Sequence, residues 1–357
     1  MIRVLHLTDP QPDYQTTRAL DALTRPARPA FESIWRPVRG LLAEMRSRRG
    51  GRESPPDVVH AWGGRALAAA VLSGPRRVVF SPTRFPTPRL IRWLRSAMSH
   101  RDVQVVCSTA TQRRRLVESG VPLDRCHLIR PGVDFAQVRR RRDPDLRRRL
   151  GLADEDHVVL APGESTRAAA HEDSVWAAAI AHFLDPRMKL LLWGRGDRAG
   201  AAARRAAAIG GPGMFRSAVD RLGGSTTFES LLPAADSVLV TARGPVATLP
   251  IAVCMAAGLP IVSTVTYTVA ELLEDRHTAL MVPRHQSRLL ARRLLELRDD
   301  PQTQWSIADV ARTEAYEYFS LTRFLDQFRS VYRQVAEGKP VEVVEPQPGA
   351  GRRFHGR

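Results

Sequence analysis

The chain reads as an α/β protein with two parallel-sheet halves, and three observations lead there. Short β-branched runs alternate with helical runs along nearly its whole length, the pattern of repeated β-α-β units. Its 357 residues exceed what one hydrophobic core fills comfortably, so two domains of about 150 to 200 residues are expected. Residues 249–283 then join an apolar helix, a Gly-Leu-Pro break and a buried strand within one stretch. In such sheets ligands bind beyond the carboxyl ends of the strands, so this last segment is expected beside a binding site.

The elements follow in order. Ile2 to Leu7 reads as a first strand, Val58 to Ala61 as the next, and Ala66 to Leu72 as an apolar helix after Gly63-Gly64. Val78 to Ser81 and Val103 to Ser108 supply two more strands. Thr109 is placed to cap a helix over Ala110 to Ser119, which Gly120 and Pro122 end. His127 to Ile129 is a short strand before the Pro131-Gly132 turn. A second series begins at His157 with the strand before Pro162-Gly163. It continues with a helix over 172–184, the strand of MKLLLWG, a tight turn at Gly194 and Gly196, and the strand Ser237 to Thr241. Ile251 to Ala257 is a small-residue helix; Gly258 suits a left-handed cap, Pro260 stops the helix, and Ile261, Val262 and Val265 favour a strand. Phe324, Phe328, Val331 and Tyr332 form the apolar stripe of a terminal helix.

The resulting division is an amino-terminal Rossmann-like domain over 1–135, a basic linker over 136–156 and a second Rossmann-like domain over 157–315. A terminal helix over 316–337, whose return to the first domain is left open, precedes a Pro-, Gly- and Arg-rich tail over 338–357 expected to be disordered.

A formal charge of +17 is carried mainly by arginine, clustered at Arg46 to Arg52, Arg113 to Arg115 and Arg139 to Arg149. Such a field attracts phosphates of nucleotides, lipid headgroups or nucleic acid without choosing among them. Nucleic acid is disfavoured because no recognised reading module accompanies the charge. Residues 37–49 place Val38, Leu41, Leu42 and Met45 on one helical face, which suits either an ordinary surface helix or peripheral contact with an anionic membrane. Cys107, Cys126 and Cys254 are scattered without C-x-x-C spacing, so buried free thiols are expected rather than disulfides or a zinc site. No stretch approaches the roughly 18 apolar residues of a membrane span, and MIRVLHLT reads as a strand rather than a leader; a cytoplasmic location is expected, peripheral to the inner face of a membrane if the basic helix docks there. Phosphate-loop, nucleophile-elbow and H-E-x-x-H motifs are all lacking.

The order of segments resembles the GT-B glycosyltransferases, specifically glycosyltransferase family 4. The resemblance rests on Asp57-Val58-Val59-His60, on Cys107 to Leu116, on the turn Ile129 to Asp134, and on Gly194 to Gly196, Ala234 to Asp236 and Cys254 to Val262. It covers about residues 1 to 335 and implies two Rossmann-like domains facing across a cleft, with a nucleotide diphosphate-sugar as donor and no further cofactor or metal. The implied partners are that donor and an acceptor glycan, lipid or small molecule.

Residue by residue, the resemblance implies a nucleotide-sugar site at Gly163, Arg167, His171, Thr248, Leu249 and Glu271. Departures accompany it. Where the family has an Arg after the first strand of the second domain this chain has Glu164, and the Lys position falls near His171. The two glutamates of its E-x7-E motif fall on Pro245 and Val253, neither of which supplies a carboxylate. Thr83 replaces a histidine after the third strand, leaving Thr83 and His60 as candidates near the chemistry, with no catalytic group assigned. Glu271 matches an acid of the family or, read plainly, is a helix N-terminal acid favouring the dipole. Two functions therefore stand: hexose transfer through a divergent site, or a noncatalytic relative that binds a partner protein, a glycan or a nucleotide.

Overall fold

The computed structural model describes residues 1–25, 31–38, 55–72, 77–138, 141–209 and 213–343. The chain forms two compact units, Met1–Gly132 with Leu321–Arg357, and Val133–Ser320.

The first unit is built on a parallel six-stranded sheet of order β2-β1-β3-β4-β5-β6. Its strands are β1 (Ile2–Thr8), β2 (Phe31–Pro37), β3 (Val58–Trp62), β4 (Arg77–Ser81), β5 (Asp102–Cys107) and β6 (Cys126–Leu128). Because side chains alternate along a strand, the sheet packs on both faces. Leu7, Val59, Ala61, Phe80 and Val105 face α2 (Gly64–Leu72), α3 (Pro88–Met98) and α4 (Ala110–Glu118). Val4, Val58, Trp62, Val79 and Val106 face α1 (Tyr14–Thr24) and the terminal helix, Leu321–Glu337, whose Phe324, Phe328, Val331, Tyr332 and Val335 are all buried there. The apolar stripe read from sequence is thus the inner face of that helix.

Gly338 takes φ +70 and ends it, with Gly338 N donating to Val335 O and Lys339 N to Gln334 O. This turn sends the chain back along the helix, where Val341 is buried and Glu342 N donates to Gln334 Oε1 at 2.8 Å. The disorder expected from residue 338 therefore does not apply to 338–343, and residues 344–357 lie outside the described part. The amphipathic helix expected over 37–49 also lies outside it from residue 39 onward; Pro37 ends β2 instead, and Val38 is buried in the sheet core.

The second unit carries another parallel sheet, of order β12-β11-β10-β7-β8-β9. Its strands are β7 (His157–Ala161), β8 (Met188–Leu192), β9 (Phe215–Ser217), β10 (Ser237–Val240), β11 (Ile261–Thr264) and β12 (Leu280–Val282). Before β7 comes α5 (Pro144–Leu150), capped by the Asp143 carboxylate on Leu146 N. One face is covered by α6 (His171–Leu184), α7 (Ala199–Ala208) and α10 (Ser287–Asp299). The short α8 is Ala218–Leu222. Helix α9 (Leu249–Ala256) is buried at every position, as an all-apolar sequence requires, and packs on α11 (Pro301–Tyr318). The terminal helix of the first unit is then α12.

The break that follows α9 forms as its residues dictate. Gly258 adopts φ +64, its N–H donates to Met255 O at 2.9 Å, and Leu259 N donates to Cys254 O at 3.2 Å. That pair of bonds is the Schellman termination, which needs a residue tolerant of the left-handed region. Val265, expected in the following strand, lies beyond its end and is exposed. The basic run before β7 is not simply a solvated connector. Arg147 is fully buried, donating to Asp236 Oδ2 at 2.5 Å and to Asp156 O at 2.9 Å, while Asp236 also accepts from Val158 N. Asp236 belongs to the Ala234-Ala235-Asp236 segment, so that motif anchors α5 beneath the sheet.

Candidate functional site

In each sheet the chain leaves its first strand in both directions, which opens a crevice at the carboxyl ends where the order reverses. In the second unit this point lies between β7 and β10. The loop 162–170 leaves β7 here. Gly163 has φ +77, and a Cβ on it would sit 2.9 Å from Pro250 Cγ, so glycine lets the loop press against the start of α9. Ser165 N donates to Arg195 O at 2.7 Å, and Ser165 O accepts from Arg198 N at 2.9 Å. A Cβ on Gly196 would meet Ser165 O at 2.3 Å; the Gly194-Arg195-Gly196 turn is thus a backbone-to-backbone brace for the first loop.

Side chains complete the bracing. Ser165 Oγ and His171 Nδ1 are 2.7 Å apart, and burial pushes the His171 imidazole down to about 4, against the opposing effect of its hydrogen bond with the Pro162 backbone. His171 is therefore neutral at pH 7 and joins both ends of the loop. Thr241, just after β10, donates to Ala169 O and Ala170 O at 3.0 Å and lies 2.7 Å from Ser174 Oγ. Arg243 N donates to Ala168 O at 2.8 Å while its guanidinium grips Asp173 at 2.5 and 2.6 Å. Thr264, closing β11, donates to Ala242 O at 2.7 Å.

The expected site residues fall as follows. Gly163 lies against the α9 start, where Thr248 and Leu249 are both buried and the first turn carries no acid. Arg167 stands exposed on the loop above, and His171 is turned inward beneath it. Glu271 is buried and is the acid of a single three-residue 3-10 turn, Val269–Glu271, after β11. Val253 lies within buried α9, so its side chain belongs to the core. Tyr267 is largely exposed, whereas Thr266 Oγ1 accepts from Val269 N.

Thr83 and His60 belong to the first unit. Thr83 follows β4 and is half-buried beside exposed Arg84. His60 lies in the middle of β3 rather than at its end, and its ring is enclosed. Its Nδ1 is 2.7 Å from the Tyr332 hydroxyl and its Nε2 is 2.9 Å from Ser81 Oγ, with Trp62 stacked 4.1 Å away. Trp62 Nε1 in turn donates to His6 Nδ1 at 3.2 Å. Burial lowers the His6 imidazole to about 3 and carries His60 well below its usual value, with His6 adding to the latter. At the crevice of this sheet, between β1 and β3, Asp9 Oδ1 accepts from Ala66 N at 2.9 Å at the start of α2. A Cβ on Gly63 would collide with that carboxylate at 2.6 Å, so Gly63 makes room for Asp9. Burial raises the Asp13 carboxyl nearby, opposed by its hydrogen bonds with Thr16 and by the charge of Arg84.

Sequence reading did not single out Ser165, Asp173, Thr241 or Arg243. Only Thr241 directly follows a strand, and the pairings of these residues span up to 72 residues of sequence. Among the described residues no group of three or more His, Cys, Asp and Glu is placed to hold a metal ion, and no helix is long and apolar enough to cross a membrane.

Comparison with known proteins matches these two units in turn. Residues 2–137 match the model of Glycosyltransferase Family 4, and residues 157–300 that of Glycosyl transferases group 1. No curated protein sequence matches the chain. Among solved structures it is similar to Anabaena Alr3699/HepE in complex with UDP-glucose, with TM-score 0.77 at 16% identity over 94% of this chain and 100% of that one. It is also similar to sucrose-phosphate synthase from Thermosynechococcus elongatus, with TM-score 0.74 at 16% identity over 95% and 100%. WaaG, a glycosyltransferase involved in lipopolysaccharide biosynthesis, gives TM-score 0.69 at 15% identity over 93% and 99%. At these identities the likenesses establish the fold, and the two sequence models, which together span most of the chain, establish the family. The chain belongs to the GT-B glycosyltransferases of family 4, glycosyl transferases group 1.

Proposed function

We propose that this chain holds a nucleoside diphosphate-hexose at the carboxyl edge of its second sheet and transfers the hexose to a glycan, lipid or small-molecule acceptor. The observation that carries the reading is the close approach of Gly163 to Pro250, which sets one side-chain-free backbone position against the start of a helix. Backbone N–H groups and the positive end of the helix dipole suit a diphosphate there, and no acid in the first turn of α9 opposes it. Transfer breaks the bond from the anomeric carbon to the diphosphate and forms one to an acceptor oxygen. Negative charge builds on the departing diphosphate, and Arg167, exposed on the loop, is the side chain proposed to meet it. His171, neutral and braced inside, acts by holding the loop. Because the Anabaena neighbour holds UDP-glucose, uridine diphosphate-hexoses are the first donors to test.

Pro245 and Val253 favour a second reading, a binding protein without turnover, since both acids of the family motif are gone. Calorimetric titration of the folded protein with nucleoside diphosphates and their sugars separates the two. Micromolar to millimolar binding of one donor, weakened about tenfold by Arg167→Ala, supports a donor site. Consumption of that donor with an acceptor present then selects transfer over sensing. Failure of every donor to bind sinks both the site and the transfer reading.

A further inference from the structure

The helical layer over one face of the second unit carries an outward apolar ridge. On α6 the positions that face the core are His171, Ser174, Val175, Ala177, Ala178 and Ala181. The opposite side of the helix presents Trp176 and Phe183, with Leu184 beside them, exposed by 44%, 87% and 64%; Ile180 between them is half-buried against the core. At 1.5 Å per residue, Trp176 and Phe183 stand about 10 Å apart along the helix axis. Exposed single apolar residues are ordinary, but two aromatics and a leucine on one outward stripe are a surface with a use.

The flanks say what that use is. Helix α6 packs beside α7 and beside α10. On α7, Ala202 and Ala206 face the core, which turns exposed Arg204 outward. On α10, Leu290, Ala291, Leu294 and Leu297 face inward, which turns exposed Arg288 and Arg292 outward. The acids of this layer are engaged: Glu172 with Arg198, Asp173 with Arg243, Glu296 with Arg292 and Arg293, and Asp185 with Arg187 and Arg298. Arg204 and Arg288 form no ion pair with a described residue. An apolar, aromatic ridge bordered on both sides by arginine matches an interface where hydrocarbon lies beneath anionic headgroups. A symmetric contact with a second copy would instead bring these arginine rows close to their own equivalents, which like charge disfavours.

We propose that this α7-α6-α10 layer is a docking surface for an anionic lipid bilayer, with Trp176, Phe183 and Leu184 entering the headgroup region and Arg204 and Arg288 meeting lipid phosphates.

The test is cosedimentation of the full chain with vesicles of phosphatidylcholine alone or mixed with phosphatidylglycerol. Binding is expected to the mixed vesicles and to be weaker by roughly tenfold or more on the neutral ones. Trp176→Ser with Phe183→Ser, and separately Arg204→Glu with Arg288→Glu, are each expected to lower partitioning onto mixed vesicles by roughly tenfold. All four positions are exposed, and unchanged circular dichroism and thermal midpoint verify that the variants are folded. Equal binding of wild type and both variants overturns the proposal and leaves other basic segments as the contact. Absence of wild-type binding overturns it as well. So does sedimentation of the wild type as a dimer, without vesicles, that the Trp176/Phe183 variant converts to monomer, since the ridge would then be a self-association surface.

Discussion

The two sheets share a doubly wound plan yet place their polar chemistry at opposite depths. In the first unit, His60 bonds to Ser81 and to Tyr332 within the core, on the face covered by α12, and His6 joins them by accepting from Trp62, which stacks on His60. In the second, Ser165, His171, Thr241 and Arg243 lie at the strand ends and bond mostly to loop backbone. One set locks a helix to a sheet. The other fixes the shape of a loop whose outer side stays available, which is why the second unit is the better place to look for a bound anion.

Disrupting the anchors of each unit should separate them most strongly. Asp236→Ala leaves the fully buried Arg147 guanidinium without its carboxylate, and an uncompensated buried charge costs about 3 kcal/mol or more. Urea unfolding followed by a probe in each unit should show the second unit's midpoint fall while the first holds. Equal loss in both units would refute independent anchoring.

Acid should reverse that order. His6, His60 and His127 of the first unit are all held neutral by burial, with His6 at about 3 and His127 at about 4. Their folded values lie below the unfolded value of 6.5, so the unfolded chain binds more protons as pH falls. Their contribution is complete above pH 6.5 and is lost as pH falls from there toward about 3, at up to about 1.4 kcal/mol per pH unit for each histidine. The second unit has His171 and His157 shifted the same way, the latter opposed by Asp236. Thermal unfolding between pH 7 and 4 should therefore show the first unit weakening faster, and His6→Phe should flatten its slope.

These examples also show what a linear reading reaches. Strand and helix runs, the Thr109 cap, the Gly258 break and the stripe on α12 were legible because each depends on neighbours within a few residues. Arg147 read as one more member of the basic linker because its partner stands 89 residues away, and His60 read as near the chemistry because Tyr332 is 272 residues away. Edge strand β2 escaped notice for another reason: Glu32, Arg36 and Pro37 give FESIWRP no clean alternation, and its register comes from pairing along the whole of β1. Of the proposed site, Gly163 and the start of α9 were legible, whereas the side chains that brace them were not.

A smaller perturbation bears on whether the loop of the second unit is a binding element. Gly163→Ala adds a Cβ 2.9 Å from Pro250 and demands a positive φ, costing about 1 to 2 kcal/mol. If the loop shapes a diphosphate site, donor affinity should fall about tenfold or more in protein that is still fully folded; a stability loss with unchanged affinity would assign Gly163 to packing alone.

Smallest in stability, and most discriminating, is Ser165→Ala. The hydroxyl's loss removes the partner of His171 Nδ1 but leaves the Ser165 backbone bonds to the 195–198 turn in place. One buried hydrogen bond contributes about 1 kcal/mol, so the thermal midpoint should move only a few degrees. The imidazole then keeps its hydrogen bond with the Pro162 backbone but loses its tie to Ser165, so the 165–171 segment that carries Arg167 is left with one brace fewer. Donor binding should therefore weaken more than stability does, whereas His60→Gln in the first unit, which also breaks a buried histidine network, should lower stability and leave donor affinity untouched. That opposite pair of outcomes is what a loop brace in one sheet and a core clasp in the other require.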